Sequence, residues 1–478
     1  MVRPTSSTPS LPAGTTVVSK KRKLVADNLA TPSSATKVVS KKSKRAADDL
    51  PTTSPATIAA IPHTKPAPAL LRDILAAQLQ QQPAADDASI LVADVGHIFR
   101  QYNQWREYLP NVEPFYAVKC NSAPVILETL VCAGAGFDIA SKWELDQVLA
   151  AGADPSKIIY ANPYKPVSHL RHAAAAGVRL MTFDTVGELH KIRAHHPNPL
   201  LVLRVGVGTG HARIALDTVG VDPQHEARTL LLEAKRLGLD IVGVAFHVGT
   251  GCFNARAFQE AVANARLVFT TTSELGFNMT LLDEGGGFPG GPATDPCDGR
   301  DGPSFADMAA VLRDAIAREF ANTSVRVIAE PGRYFVAHAY HLAVNVIGHR
   351  MHAPTSPNVL PRQHLRICDG AFSLFGPGNH PRGPYVLVKD GEMVADPERF
   401  STQGQLFPTT CYGPTCAPID LVVESYMLPN MQPGDWLLFD VMGAYSVSMT
   451  TGFNGFRHTP VVWTNTEAAV PARTDRPV

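Results

Sequence analysis

A lysine stands where an apolar strand has to stop. In Pro114-Phe115-Tyr116-Ala117-Val118-Lys119 apolar and aromatic residues run up to the amine, and Asn121-Ser122 and then Pro124 follow it. An amine at the rim of a sheet is half buried, and loss of hydration lowers its pKa and frees it to attack a carbonyl. A strand-ending lysine is more often simply solvated, so its weight comes from residues downstream. His247 closes another apolar run and precedes Gly249-Thr250-Gly251-Cys252. A lone histidine is usually a satisfied core side chain; in this setting it is better read as a ring stacked on a planar group. Gly285-Gly286-Gly287-Phe288-Pro289-Gly290 lets backbone N–H groups close on a phosphate. It also matches a dinucleotide fingerprint, but Pro289, Gly291 and Pro292 forbid the helix that would receive a pyrophosphate. Glu330 opens the rigid turn Pro331-Gly332-Arg333, which holds a carboxylate and a guanidinium in fixed directions. An ordinary surface Glu–Arg pair is the plainer alternative.

These residues share one place in a repeating pattern. Strand-like segments at Val112–Val118, Gly136–Ala140, Lys157–Tyr160, Val178–Phe183, Leu200–Val205, Ile241–His247, Thr280–Asp283 and Val325–Ala329 alternate with helix-period stretches such as Ala123–Ala133, Lys142–Ala151 and Phe305–Phe320. Lys119 closes the first strand, Asp138 lies in the second, Arg204 ends the fifth and His247 the sixth. The glycine run follows the seventh, and Glu330–Arg333 the eighth. A doubly wound sheet gives the same alternation, but the count of eight, with the special residues at strand ends, favours an α/β fold built on a (β/α)8 barrel. Barrel enzymes place their sites at that rim and hold phosphate after strands seven and eight. Beyond Tyr340 short β-like runs separated by Asp369-Gly370, Asp390-Gly391 and Pro433-Gly434 predict a mainly antiparallel β domain, joined by the segment around Ile90–Val92.

The expected organisation is a basic Ser/Thr/Pro-rich tail over 1–65, a lead-in over 66–94 that contributes to the β domain, the barrel over 95–339, the β domain over 340–470, and a short tail over 471–478. A hydrophobic fraction of 45% with 18% charged residues fits a globular protein, and no apolar run approaches the ~20 residues of a membrane span. The seven cysteines lack metal-type pairing, and the N-terminus lacks a secretory core, so free thiols in the cytoplasm are expected. A net charge of zero hides an asymmetry: residues 1–60 carry ten Lys/Arg against three Asp, leaving 33 basic and 40 acidic groups in the rest. Val17-Val18-Ser19-Lys20-Lys21 recurs as Val38-Val39-Ser40-Lys41-Lys42; a nuclear import signal or polyanion contact competes there with a plain solvated tail, which is favoured.

In their order and spacing the motifs at Phe115–Asn121, His247–Cys252, Gly285–Gly290, Glu330–Tyr334 and Gly413-Pro414-Thr415-Cys416 resemble the ornithine decarboxylase family of pyridoxal-phosphate enzymes. The resemblance implies pyridoxal 5'-phosphate as cofactor and a homodimer with shared active sites. Lys119 matches the lysine that binds the cofactor's aldehyde, His247 the ring lying on it, and Glu330 the partner of the pyridine nitrogen. Gly287, Arg333 and Tyr445 match phosphate ligands, with Gly286 and Gly332 as further cofactor contacts. Thr250 replaces a usual serine and keeps the hydroxyl. Asp138, Glu144 and Arg204 match residues that orient lysine and ring. Cys416 resembles a cysteine lent by the second subunit to help protonate the product. Asp369 resembles the acid that holds the substrate's distal amine, with Cys368, Ala417 and Phe453 beside it.

The departures fall in the substrate shell. Ala417 stands where the family has a second distal acid, Ile367-Cys368 replaces a tyrosine or asparagine, and Thr218 replaces a lysine that pairs across the dimer with the aspartate matching Asp420. An amino-acid decarboxylase is implied, with ornithine to putrescine leading but handled poorly. A decarboxylase of another amino acid or specialised-metabolite precursor is the rival within the class. A regulator of the antizyme-inhibitor kind is the rival outside it, and brings an antizyme-like protein as a partner. No metal, membrane or nucleic-acid contact is expected apart from the basic tail.

Overall fold

The computed structural model describes residues 61–80, 87–208, 210–216, 218–291, 302–321, 323–354, 356–376 and 382–467. The repeated basic clusters and the 471–478 tail lie outside the described residues. Eight parallel strands close into a barrel: Val112–Ala117, Gly136–Ile139, Ile158–Tyr160, Leu180–Phe183, Leu200–Arg204, Asp240–Ala245, Leu281–Asp283 and Arg326–Ala329. The last pairs with the first, Val327 opposite Val112, which excludes the open doubly wound sheet. Phe115, Ile159, Val202, Ala245, Leu281 and Ile328 pack together inside the barrel.

Side chains alternate across a strand, so the residue two places beyond each inward one also faces in, now at the C-terminal rim. That step carries Phe115 to Ala117, Val202 to Arg204, Ala245 to His247, Leu281 to Asp283 and Ile328 to Glu330. Gly136 faces in as well, since a Cβ there would lie 2.7 Å from the Phe115 ring, and its two-residue step reaches Asp138. Strand periodicity alone thus gathers the polar residues into one ring.

The helices seal the outside of the barrel by amphipathic packing. In Phe305–Glu319, Ser304 and Asp307 form a capping box, and Phe305, Met308, Ala309, Leu312 and Ala315 make one buried stripe. Leu312→Ala there should cost about 2–5 kcal/mol. In Val95–Tyr108, fully buried Trp105 donates its indole N–H to the Val112 carbonyl and stacks on Phe305.

The remaining strands form a nine-stranded mixed sheet. Its centre is the long strand Tyr340–His352, which pairs antiparallel with Trp436–Asp440 and Ile90–Asp94 through its first half and with Arg362–Ile367 through its second. Six of the pairings are antiparallel. Two are parallel: Arg362–Ile367 with Phe407–Tyr412, and Ile90–Asp94 with Val461–Thr464. Pro408 hides the Phe407–Tyr412 strand from a propensity reading, because proline removes a ladder donor. A two-stranded antiparallel sheet of Ala212–Ile214 and Thr250–Cys252 was also absent from the sequence expectation; its three-residue strands are too short to carry a period.

Candidate active site

One cavity opens at the barrel rim, about 780 Å³ including its mouth, lined by Lys119, His247, Thr250, Gly286, Gly287, Glu330, Gly332, Arg333 and Tyr445 among others. Lys119 sits in a single tight turn, Val118–Cys120, that ends the first strand. Its Nζ donates to Asp138 Oδ2 at 2.5 Å. Burial opposes the charge of this amine, yet Asp138 and Glu330 outweigh it and hold the ammonium well above the ordinary lysine range. The expectation that lost hydration lowers this lysine is therefore corrected: two carboxylates decide its charge.

His247 Nδ1 accepts the Gly249 N–H at 2.9 Å, which leaves the ring proton on Nε2. Burial first, then the cations of Arg204 and Lys119, hold this ring well below the usual imidazole range. It is a neutral aromatic plate. Gly286 must be glycine, because a Cβ would meet His247 Nε2 at 2.8 Å and the Glu330 carbonyl at 3.0 Å. Glu330 is buried, and burial followed by Asp283 and Asp138 raises its carboxyl well above the carboxylate range. Its Oε1 has no hydrogen-bond partner. Arg333 opens the short helix Arg333–Val336 and lies 5.4 Å from the Tyr445 ring. Tyr445 is held at φ 55 with its N–H on the Cys120 carbonyl, and burial pushes its phenol up to about 12.

Glu144 and Arg204 stand just behind this lining. Glu144 accepts the Ala140 N–H at 2.5 Å in the first turn of its helix, and burial raises its carboxyl. Arg204 is buried, with its Nε unpartnered. Sequence reasoning missed Asp283 and Arg213. Asp283 is buried beneath Glu330 and raised to about 7, chiefly by burial; the acidic pair before the glycine run was the available signal. Arg213 reaches the cavity wall on the unforeseen two-stranded sheet.

The predicted substrate residues lie elsewhere in the chain. Cys368, Asp369 and Phe453 line a second cavity in the β domain, about 860 Å³ with its mouth. Phe453 stacks on Phe372 with ring centroids 4.3 Å apart. Cys368 Sγ accepts the Asn345 N–H at 3.2 Å, and burial pushes its thiol up to about 12. Cys416 is exposed on the loop after Phe407–Tyr412, and Ala417 beside it gives its N–H to Thr415 Oγ1. Arg366 steadies that loop through the Gly413 and Thr415 carbonyls. Asp420, left without a lysine at position 218, takes the N–H groups of Ala371 and Thr415 and the Thr415 hydroxyl, and so joins the Asp369 and Cys416 loops.

A closed barrel carrying a rim lysine, a neutral histidine plate, a glycine cradle and a buried carboxyl with an unpartnered oxygen defines a pyridoxal-phosphate enzyme with an added β domain. Residues 95–337 match the family described as pyridoxal-dependent decarboxylase, pyridoxal binding domain. The chain is 38% identical over 409 residues to antizyme inhibitor 2 of Xenopus laevis, covering 84% of this chain and 86% of that protein. It is 39% identical over 396 residues to ornithine decarboxylase of Mus pahari, covering 81% and 83%. The solved arginine decarboxylase of Paramecium bursaria Chlorella virus superposes with a TM-score of 0.72 at 31% identity, over 83% of this chain and 99% of that one. This chain belongs to the pyridoxal-dependent decarboxylases, and its cofactor is pyridoxal 5'-phosphate.

The residues fit that group. Lys119 would supply the amine for its aldehyde, and the unpartnered Glu330 Oε1 would accept from its pyridine nitrogen. His247 would offer a ring face, while Gly286, Gly287, Gly332, Thr250, Arg333 and Tyr445 would supply N–H, hydroxyl and guanidinium donors for its phosphate.

Proposed function

We propose that the protein decarboxylates an amino acid with a cationic tail, ornithine leading, and that each active site is built from two copies of the chain. The complete cofactor shell at the barrel rim carries this reading. When bound, the cofactor supplies an electron sink for the pair left behind by the departing carboxylate. The chain's own residues do the rest. Asp138 aims the Lys119 amine by accepting its hydrogen bond. Glu330 retains a proton or a cationic partner at its buried oxygen, and His247 stays neutral and excludes water from one ring face. Cys416 holds a proton near the carbon that must be protonated, from the partner subunit.

The two-copy site is supported by the separation of the lysine cavity from the cavity of Cys368, Asp369 and Phe453 within one chain. Exposed Trp143 and Tyr164 at the barrel, and Ile419 and Phe456 in the β domain, are large apolar side chains suited to burial between copies. Mixing inactive Lys119→Ala with inactive Cys416→Ala protein should restore carbon dioxide release, because heterodimers regain one intact site. A mixture that stays inactive after demonstrated subunit exchange would refute the shared site.

A regulator that titrates an antizyme-like protein is the second reading, favoured by the likeness to antizyme inhibitor 2. A visible absorbance band of bound cofactor, together with amine release from a panel of amino acids, separates the two.

A further inference from the structure

A further cavity, about 610 Å³ including its mouth, opens on the face of the barrel opposite Lys119. Arg179 stands just before the strand Leu180–Phe183, Asn198 just before Leu200–Arg204, and Asp240 opens Asp240–Ala245, so three neighbouring strands bring their N-terminal ends to it. Arg193 comes from the last turn of the helix Val186–His195, and His196 caps that helix. Two loop carbonyls hold the guanidiniums in place: Arg179 Nε donates to Asn198 at 2.9 Å and Arg193 Nε to Leu237 at 3.1 Å. Each arginine uses one of its five N–H groups in this way and keeps four. Neither forms an ion pair among the described residues.

His196 is only 4% exposed. Its Nε2 donates to the Val178 carbonyl at 2.9 Å, so in the neutral ring Nδ1 carries a lone pair, and Nδ1 is buried with no hydrogen-bond partner. Burial first, and then the Arg179 cation, keep this imidazole below its usual range against the pull of that carbonyl. The cavity therefore presents two kinds of group. Arg179 and Arg193 offer donors with positive charge, while His196 Nδ1 and the Asp240 carboxylate offer acceptors. A fully deprotonated oxyanion satisfies the first pair and is repelled by the second. An oxyanion that keeps a hydroxyl satisfies both, since its bare oxygens face the guanidiniums and its O–H donates to an acceptor.

We propose that this cavity is a binding site for hydrogen phosphate, separate from the phosphate cradle of the cofactor. Two guanidiniums against one carboxylate leave it a net positive charge. Sulfate has nearly the same shape but carries no proton at neutral pH. Its oxygens would leave His196 Nδ1 unpaired and would face Asp240 without a hydrogen between them, so the site selects phosphate by its hydroxyl.

Isothermal titration of the full-length holoenzyme, whose cofactor cradle is already filled, compares inorganic phosphate with sulfate at neutral pH and equal ionic strength. Phosphate should bind at least about tenfold more tightly than sulfate, the lower end for one charge-assisted hydrogen bond. Arg179→Gln should weaken phosphate by about tenfold or more. Asp240→Asn should strengthen sulfate and bring the ratio of the two affinities toward one. Arg179 and Asp240 are both exposed, so neither change empties the core, and unchanged far-ultraviolet circular dichroism checks this. The absence of saturable phosphate binding at millimolar concentration overturns the site. Equal affinity for the two anions, or a ratio unmoved in Asp240→Asn, overturns selection by the hydroxyl. Phosphate affinity unchanged in Arg179→Gln shows an adventitious ion only and overturns the assignment to this cavity.

Discussion

Asp283→Asn should make the cofactor-free protein more stable above neutral pH and no more stable in acid. Asp283 is fully buried under Glu330, and its carboxyl rises from 3.8 to about 7, burial being the main cause. The folded chain therefore keeps a proton that the unfolded chain has released. The stability contributed by this group is complete below about pH 4, declines as pH rises, and is gone once pH passes about 7. At about 1.36 kcal/mol per pH unit, the rise from 3.8 to about 7 corresponds to about 4 kcal/mol at pH 8. Asparagine keeps an oxygen for the Gly285 N–H, now 2.9 Å from Asp283 Oδ1, and needs no proton. One N–H of its amide can donate to Glu330. The expected gain is up to about 4 kcal/mol at pH 8 and about zero at pH 4. Denaturant unfolding of the cofactor-free protein at both pH values measures it directly. A loss of stability at pH 8, or a gain of the same size at both, would refute the account of a buried carboxyl that must keep its proton.

Gly286→Ala should weaken cofactor binding by about 1–3 kcal/mol, since its Cβ would press on His247 Nε2 at 2.8 Å and on rigid backbone at 3.0 Å; a cofactor titration by absorbance reads this, and unchanged affinity would show the cradle to be looser than described. Lys119→Ala should abolish the cofactor band and carbon dioxide release with unchanged far-ultraviolet circular dichroism, and retained activity would remove the lysine from the chemistry. Ala417→Asp should raise kcat/KM for ornithine by roughly 10- to 150-fold, one charge-assisted hydrogen bond of about 1.5–3 kcal/mol. An unimproved value would show that position 417 does not reach the distal amine.

The sequence by itself determined the barrel and its rim. Period-two strands leading to Asp138, Arg204, His247 and Glu330 place those side chains inward, because alternation is a local property of an extended chain; Lys119 follows in the turn that ends the first strand. The glycines at 285–287 and the turn Pro331-Gly332 were equally local, each residue type having few backbone roles. What the sequence could not supply depends on contacts between distant segments. The charge of Lys119 depends on Asp138 and Glu330 together, and burial alone pointed the wrong way. Asp283 owes its raised carboxyl to its place beneath Glu330. The Ala212–Ile214 strand, which brings Arg213 to the cavity, exists only because it pairs with Thr250–Cys252. Asp369 and Asp87 are both acids in the sequence. Only the fold brings Ser89, 280 residues away in the chain, to donate to Asp369, and leaves Asp87 exposed. A residue's type sets what it can do; its partners, fixed by tertiary structure, set whether that capacity is already used.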